Sequence, residues 1–297
     1  MLQVIHYLCL FLIILLIAAV IESSREKKKI NISEYTVSAA CVPDAFIGSR
    51  FVVIADLHNA RFGKDNSKLL DAVSQCKPDY IMIPGDIVVC KKSHKTQNIQ
   101  SANLIRKLSD IAPVYYSLGN HEEGLRQGMH GTEGQWDMYL RALFSTHESS
   151  IHLLDQEGCY IKRENDSIYV AGLTLDRTYF KRFFKKELSA KQISCLFPKE
   201  KCFIALMAHN PDYFPEYAAS GASMVLAGHN HGGAIRVPIF GGVISPRFHL
   251  FPKYDKGKYV IDNSTMILSA GLGSHSVFLR INNVPEINVI LLQKQIK

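Results

Sequence analysis

The chain is expected to fold as an α/β protein, on three grounds. Continuous apolar runs such as Phe51-Val52-Val53-Ile54-Ala55 and Tyr80-Ile81-Met82-Ile83 have strand length and no alternation, as in strands buried on both faces. Segments with apolar residues at helical spacing separate them, as in Lys68 to Cys76, where Leu69, Leu70 and Val73 share a face. Several runs also end in a turn that carries a carboxylate, an amide or an imidazole.

The N-terminus comes first. Between Met1 and Ile21 only Gln3 and His6 are strongly polar, and about twenty apolar residues cross a bilayer as a helix. This predicts an N-terminal transmembrane helix over residues 1–22. The rival is a cleaved signal peptide, but no Lys or Arg precedes the run, and Ala18-Ala19-Val20-Ile21 is only a vague cleavage site. Arg25, Lys27, Lys28 and Lys29 follow, placing the body in the cytoplasm by the positive-inside rule or binding anionic headgroups on either leaflet. Residues 23–49 read as a basic juxtamembrane linker and lead-in strand (Asn31 to Val37), and 50–297 as the main domain.

The body then proceeds in order. The strand to Ala55 ends in Asp56-Leu57-His58, whose two polar side chains project to one side. The strand to Pro84 ends in Gly85-Asp86, a carboxylate able to bridge two cations. Lys91 to Gln97 reads as a polar loop and Ser101 to Ile111 as a helix. Val114 to Leu118 is a strand ending in Gly119-Asn120-His121-Glu122. Glu123 to Thr132 reads as a mobile Gly-rich loop, and Gln135 to His147 as an amphipathic helix.

Hairpins follow, with strands at Ser150–Leu154, Cys159–Arg163 and Ser167–Leu173. Thr178 to Ser189 reads as a helix with Phe180, Phe183 and Phe184 on one face beside Lys181, Arg182, Lys185 and Lys186. It is either a surface helix with a solvated basic rim or a helix lying on a membrane. Lys201 to Ala208 is a strand ending in His209, and Ala222 to Leu226 one ending in Gly228-His229-Asn230-His231-Gly232-Gly233, where the glycines permit a tight turn. Later strands are expected at Ala234–Val237, Lys258–Asp262, Met266–Ser269 and Ile287–Leu292, with Pro238 to Pro252 a loop able to cover the site.

Composition bounds the function. At 47% apolar the chain can bury a sizeable core, and a net charge of +7 over 297 residues permits anionic partners without demanding nucleic acid. The seven cysteines are scattered with no CxxC pair, which argues against a disulfide framework and a zinc-finger module.

Two histidines one residue apart are also compatible with an ordinary polar loop. Five strand ends in succession carrying metal-compatible groups are not, because ligands of open α/β sheets gather at the carboxyl ends of strands. The ordered set DxH, GD, GNHE, a lone His and GHNH resembles the calcineurin-like metallophosphoesterase superfamily, and the lead-in EYTVSAACVPDAFIGSRFVVIADLHNARFG resembles its bacterial, membrane-anchored branch.

The resemblance implies a four-layer αββα sandwich of two mixed β-sheets and a binuclear metal centre. Asp56, His58 and His231 would hold one metal, Asn120, His209 and His229 the other, and Asp86 would bridge both. His121 would be the catalytic imidazole, charged, stabilising the transition state or protonating the leaving oxygen. Two cations roughly 3.5–4 Å apart clamp phosphoryl oxygens and acidify a bridging water, and His with Asp suits Mn, Fe or Zn.

One departure stands out: Val89 occupies the position of the second Asp in the family's GDxxD, leaving the orientation of His121 to Glu122 or Asp56. The resemblance implies a metal-dependent phosphohydrolase cleaving phosphoester or pyrophosphate bonds. The anchor and the aromatic basic helix favour a membrane-associated substrate such as a phospholipid, the resemblance implies a UDP-diacylglucosamine-like lipid as another, and no specific nucleic acid is expected. The alternatives are a phosphodiesterase or nuclease acting on nucleotides, and a non-catalytic metal-binding scaffold.

Overall fold

The computed structural model describes residues 1–145, 150–181, 184–233, 235–245, 249–274 and 279–295. In chain order the first half runs α1 (Leu2–Glu26), β1 (Asn31–Ala39), β2 (Arg50–Val53), α2 (Ser67–Gln75), β3 (Tyr80–Ile83), α3 (Lys95–Ser109), β4 (Val114–Ser117), α4 (Asn120–Arg126), α5 (Gln135–Leu143) and β5 (Ile151–Leu154). The second half runs β6 (Glu157–Arg163), β7 (Asp166–Leu173), α6 (Ala190–Ser194), β8 (Ile204–Ala208), α7 (Phe214–Ala219), β9 (Met224–Ala227), β10 (Arg236–Val237), β11 (Gly241–Gly242), β12 (Gly257–Ile261), β13 (Ser264–Leu268) and β14 (Glu286–Lys294).

Two six-stranded mixed sheets form, ordered β1-β14-β2-β3-β4-β5 and β12-β13-β9-β8-β7-β6. Strands β2 to β5 are parallel, as are β7, β8, β9 and β13, while β14, β12 and β6 join antiparallel neighbours. The period of two along each strand divides its side chains between two cores. Phe51, Val53 and Met82 face the inter-sheet core with Val170, Met207 and Leu226 of the other sheet. Val52, Ile54 and Ile81 face outward under Leu69 and Val73 of α2 and Ile105 of α3. Leu206, Val225 and Met266 lie under Ile193 of α6 and Tyr217 of α7 on the far side. The result is the four-layer sandwich.

Helix α1 is long and apolar enough to cross a membrane, and its large apolar side chains from Val4 to Ile21 are exposed. Its C-terminal end is seated on the body: Ser23 and Glu26 are buried, and only four residues separate the helix from β1. The lead-in segment is an edge strand, β1, pairing in parallel with the C-terminal strand β14.

Several local expectations are corrected. Helix α3 begins at Lys95, inside the expected polar loop, because its first turns are anchored through a polar residue: the Asn98 side chain exchanges hydrogen bonds with the Val89 backbone. The segment after His121 starts as α4, with Glu122, Glu123 and Gly124 buried, rather than as a mobile loop. No helix spans Thr178 to Ser189. Arg177–Phe180 is a single 3-10 turn capped by the Asp176 carboxylate, and residues 184–189 are non-helical. Arg182, Phe183, Thr146, His147 and Ala234, parts of expected elements, lie outside the described residues.

Candidate metal centre

Strands β2, β3, β4, β8 and β9 end on one edge of the sandwich, and the residues just beyond them converge. Asp56, His58 and His231 place ligand atoms within 4.8 Å of one another, as do Asp86, His209 and His229. His58, Asp86 and His121 form a third such group. The Nε2 of His209 lies 3.0 Å from Asp86 Oδ2 and 3.7 Å from Asp56 Oδ1, and His58 Nε2 lies 3.7 Å from Asp86 Oδ2. Asp86 therefore stands between the imidazoles of both halves, while Asn120 lines the same cavity.

The turns that deliver these groups are conformationally costly. Asp56, His58, Asp86, His229 and His231 all have left-handed φ, between 44° and 73°. Non-glycine residues held in such regions cost ~1–3 kcal/mol each and persist where surrounding contacts over-determine them. Two contacts do so here. The His229 N–H donates to both Asp56 carboxylate oxygens at 3.0 Å, and the His121 N–H donates to Asp86 Oδ1 at 2.8 Å. Gly228 has a steric role: a Cβ there would lie 2.4 Å from Asp56 Oδ2.

The donor set fits cations. His58, His209 and His231 each turn Nδ1 to a backbone carbonyl, of Val88, Pro84 and Gly273. That contact orients the ring and leaves Nε2 for a metal. The Nε2 atoms of His58 and His231 then face each other at 3.2 Å, an arrangement of lone pairs that a cation relieves. Asn120 Oδ1 is buried with no hydrogen-bond donor among the described residues, the cost a metal removes.

Electrostatics agree. Burial, with Asp86 adding to it, pushes the Asp56 carboxyl up to about 7. Burial also opposes ionisation of Asp86, but His209, His121 and His58 outweigh it and hold its carboxyl well below the usual range. Burial and the neighbouring His58 and Arg280 push the His231 imidazole well below its ordinary value, which favours the neutral ring that a metal ligand requires.

His121 and Glu122 occupy different niches. The Cys90 N–H donates to His121 Nδ1 at 3.0 Å, which places the proton of the neutral ring on Nε2. Glu122 accepts from the backbone N–H groups of Asp86, Ile87 and Gly119 and from the Tyr116 hydroxyl. It braces the Asp86 turn, so the expectation that it orients His121 is corrected. Val89 is buried with its backbone held by Asn98.

Other residues at the site carry no motif. Lys91, Arg177, Phe180 and Lys181 line the cavity, and the Phe180 ring stands edge-on to His229 with centroids 4.9 Å apart. Arg280 is fully buried and donates to the carbonyls of Ala270, Gly271 and Gly273, the last also facing His231 Nδ1. A conspicuous Ala270-Gly271-Leu272-Gly273 run was the available signal: a Cβ on Gly271 or Gly273 would collide with Asp56 or with the Leu57 carbonyl. None of the described residues of the expected covering loop lines the cavity.

Two mixed sheets with Asp and His clusters gathered at one edge define a metal-dependent phosphoesterase, whose donors suit two divalent cations. The calcineurin-like phosphoesterase family model matches residues 49–233, and the chain belongs to that family. It is 25% identical over 271 residues to the metallophosphoesterase YkuE of Bacillus subtilis, covering 90% of this chain and 87% of that protein. It is 26% identical over 248 residues to the phosphodiesterase YaeI of Escherichia coli, covering 82% of each. Among solved structures it is similar to the phosphopantetheinyl hydrolase PptH of Mycobacterium tuberculosis, at 12% identity and a TM-score of 0.42 over 79% of this chain and 96% of that one.

Proposed function

We propose that the chain hydrolyses phosphodiester or pyrophosphate bonds in a substrate held at a membrane. The observation that carries this reading is the cavity of about 630 Å³, lined by His58, Asp86, Asn120, His229 and His231 together with Lys91, Arg177 and Lys181. Cationic side chains there suit the non-bridging oxygens of a phosphoester. The space accommodates a substituent on each side of the phosphorus. The relative YaeI is named a phosphodiesterase, which fits a diester. The exposed apolar helix α1 supports an anchor and thus a membrane-borne substrate.

In this reading Asp56, His58 and His231 hold one cation, Asn120, His209 and His229 the other, and Asp86 lies between them. Bound there, Mn, Fe or Zn would polarise the phosphoryl oxygens and acidify a water for in-line attack. His121, whose Nδ1 accepts from the Cys90 N–H, would present its Nε2–H as a hydrogen-bond donor to the charge developing on the leaving oxygen. Phe180 packs edge-on against His229 at the cavity lining.

The test uses the full chain in vesicles. Bis-p-nitrophenyl phosphate should be cleaved with Mn and not with EDTA, and a panel should then rank lipid-linked against nucleotide phosphoesters. Folded, metal-loaded protein that cleaves nucleotide diesters and no lipid-linked ester would overturn the membrane half of this reading. No turnover with any divalent metal would leave a metal-binding scaffold.

A further inference from the structure

Among the described residues after α1, five of the eleven exposed large apolar side chains crowd into one short segment: Val237, Ile239, Phe240, Leu250 and Phe251. Ile239 is 102% and Phe240 71% exposed, at the turn joining β10 to β11; Leu250 and Phe251 are 67% and 59% exposed. Backbone pairing places Leu250 and Phe251 beside Ile244 and Val243, within four residues of Phe240, since Leu250 bridges Ile244 and the Phe251 N–H donates to the Val243 carbonyl at 2.9 Å. Ile239 also sits at φ +73°. A β-branched residue is costly in that conformation, where Gly or Asn fits with less strain. The turn thus carries backbone strain, and in water its apolar area is unfavourably exposed.

The segment is tied to the end of α1. The Arg236 N–H donates to the Ile281 carbonyl at 2.9 Å, and Asn282 Nδ2 donates to the Arg236 carbonyl at 3.3 Å. The same 280–283 segment seats the helix: Ser23 Oγ accepts from the Arg280 N–H at 2.8 Å, and the Glu26 carboxylate accepts from the Asn282 and Asn283 N–H groups at 3.0 Å. Three residues of chain carry the backbone at most ~10 Å from Arg236 to Ile239. Lys27, Lys28 and Lys29 follow the helix and Lys253 follows Phe251, positive charge that suits anionic headgroups.

We infer that Ile239, Phe240, Leu250 and Phe251 form a second membrane contact, entering the headgroup–acyl boundary of the bilayer crossed by α1. This rests on reading α1 as a membrane anchor. Interfacial segments bury an apolar face while basic residues meet anionic lipid. Two contacts fix the body against rocking. The base of the hairpin packs on the metal-centre loop, where a Cβ on Gly233 would lie 2.6 Å from Gly242 Cα. The site is thereby held at a set height above the lipid.

The test is tryptophan depth-quenching in the full chain, reconstituted in phosphatidylcholine vesicles containing phosphatidylglycerol. Trp136, the only tryptophan, is replaced by Phe, and Phe240→Trp and Phe251→Trp are read separately, with Phe184→Trp as the exposed control. Brominated lipid should quench the two hairpin probes by roughly twofold and leave the control bright. Protein that floats with vesicles but shows unquenched, water-like hairpin probes overturns this inference and spares the anchor. Unquenched but blue-shifted probes would mean a protein surface, such as a second copy of the chain, and also overturn it. Failure to float overturns both readings. As an independent check, Ile239→Asn should relieve the turn, keep cleavage of bis-p-nitrophenyl phosphate unchanged, and reduce cleavage of a vesicle-embedded phosphoester severalfold. Equal cleavage of the embedded ester would count against the contact.

Discussion

The carboxylate of Glu122 closes on the turn that carries Asp86: Oε2 accepts from the Asp86 N–H at 2.9 Å and Oε1 from the Ile87 N–H at 2.7 Å. Both carboxyls are buried, and their mutual repulsion is offset differently. Burial and Asp86 raise the Glu122 carboxyl, while the imidazoles around Asp86 keep that group ionised. Glu122 therefore shapes the turn, and Asp86 presents charge.

Glu122→Ala strands several buried donors at once. The expected loss is on the order of 3 kcal/mol of stability, with metal affinity falling ~10–100-fold because the Asp86 turn relaxes. Thermal melts and a metal titration check both. A variant that melts like the parent and binds metal equally would remove Glu122 from this role.

His121→Ala separates catalysis from metal holding. Turnover should drop ~10²–10⁴-fold, with metal content by elemental analysis unchanged. His121 is also close enough to His58 and Asp86 to ligate. Loss of one metal alongside activity would assign it as a ligand instead.

Gly228→Ala tests the close approach between the β9 turn and Asp56. The added methyl would sit 2.4 Å from Asp56 Oδ2, forcing the carboxylate aside at a cost of ~1–3 kcal/mol. Metal stoichiometry should fall. Full stoichiometry with full activity would show that the turn yields at no cost to the site.

The metal-free protein should lose stability as pH rises. Burial lifts Asp56 from 3.8 to about 7, and burial of His209 is outweighed by Asp86, which takes it from 6.5 to about 9. Both folded values exceed the ordinary ones, so these two groups bind more protons folded than unfolded, while His231, held neutral by burial, binds fewer below its ordinary value of 6.5 and offsets Asp56 there. Stability is then fully present below the ordinary values and is lost as pH climbs through about 7 and about 9. Asp86 acts oppositely, with its contribution lost only in strong acid. In EDTA the melting temperature should decline from near-neutral to alkaline pH. Divalent metal replaces the protons, so the decline should vanish and affinity rise with pH. A flat profile in EDTA would contradict this.

The amino-acid order alone specified the alternation of strand and helix, because residues such as Phe51 to Ala55 can be satisfied only inside a sheet flanked on both sides. It also marked the strand-end residues that meet in space, since Asp56, His58, Asp86, His209, His229 and His231 stand where ligands of such folds collect. It misjudged segments whose conformation is set by side-chain hydrogen bonds to the backbone rather than by apolar periodicity. Asn98 extends α3 through the Val89 backbone, and Asp176 with Tyr179 turns the expected aromatic helix into a 3-10 turn. Only the tertiary structure decided the brace by Glu122, the donor to His121 Nδ1, and the seating of Ser23 and Glu26 on residues 280–283. Those contacts join residues up to 257 positions apart. Periodicity and local spacing report which face a side chain takes, whereas such pairings exist only once two sheets have packed.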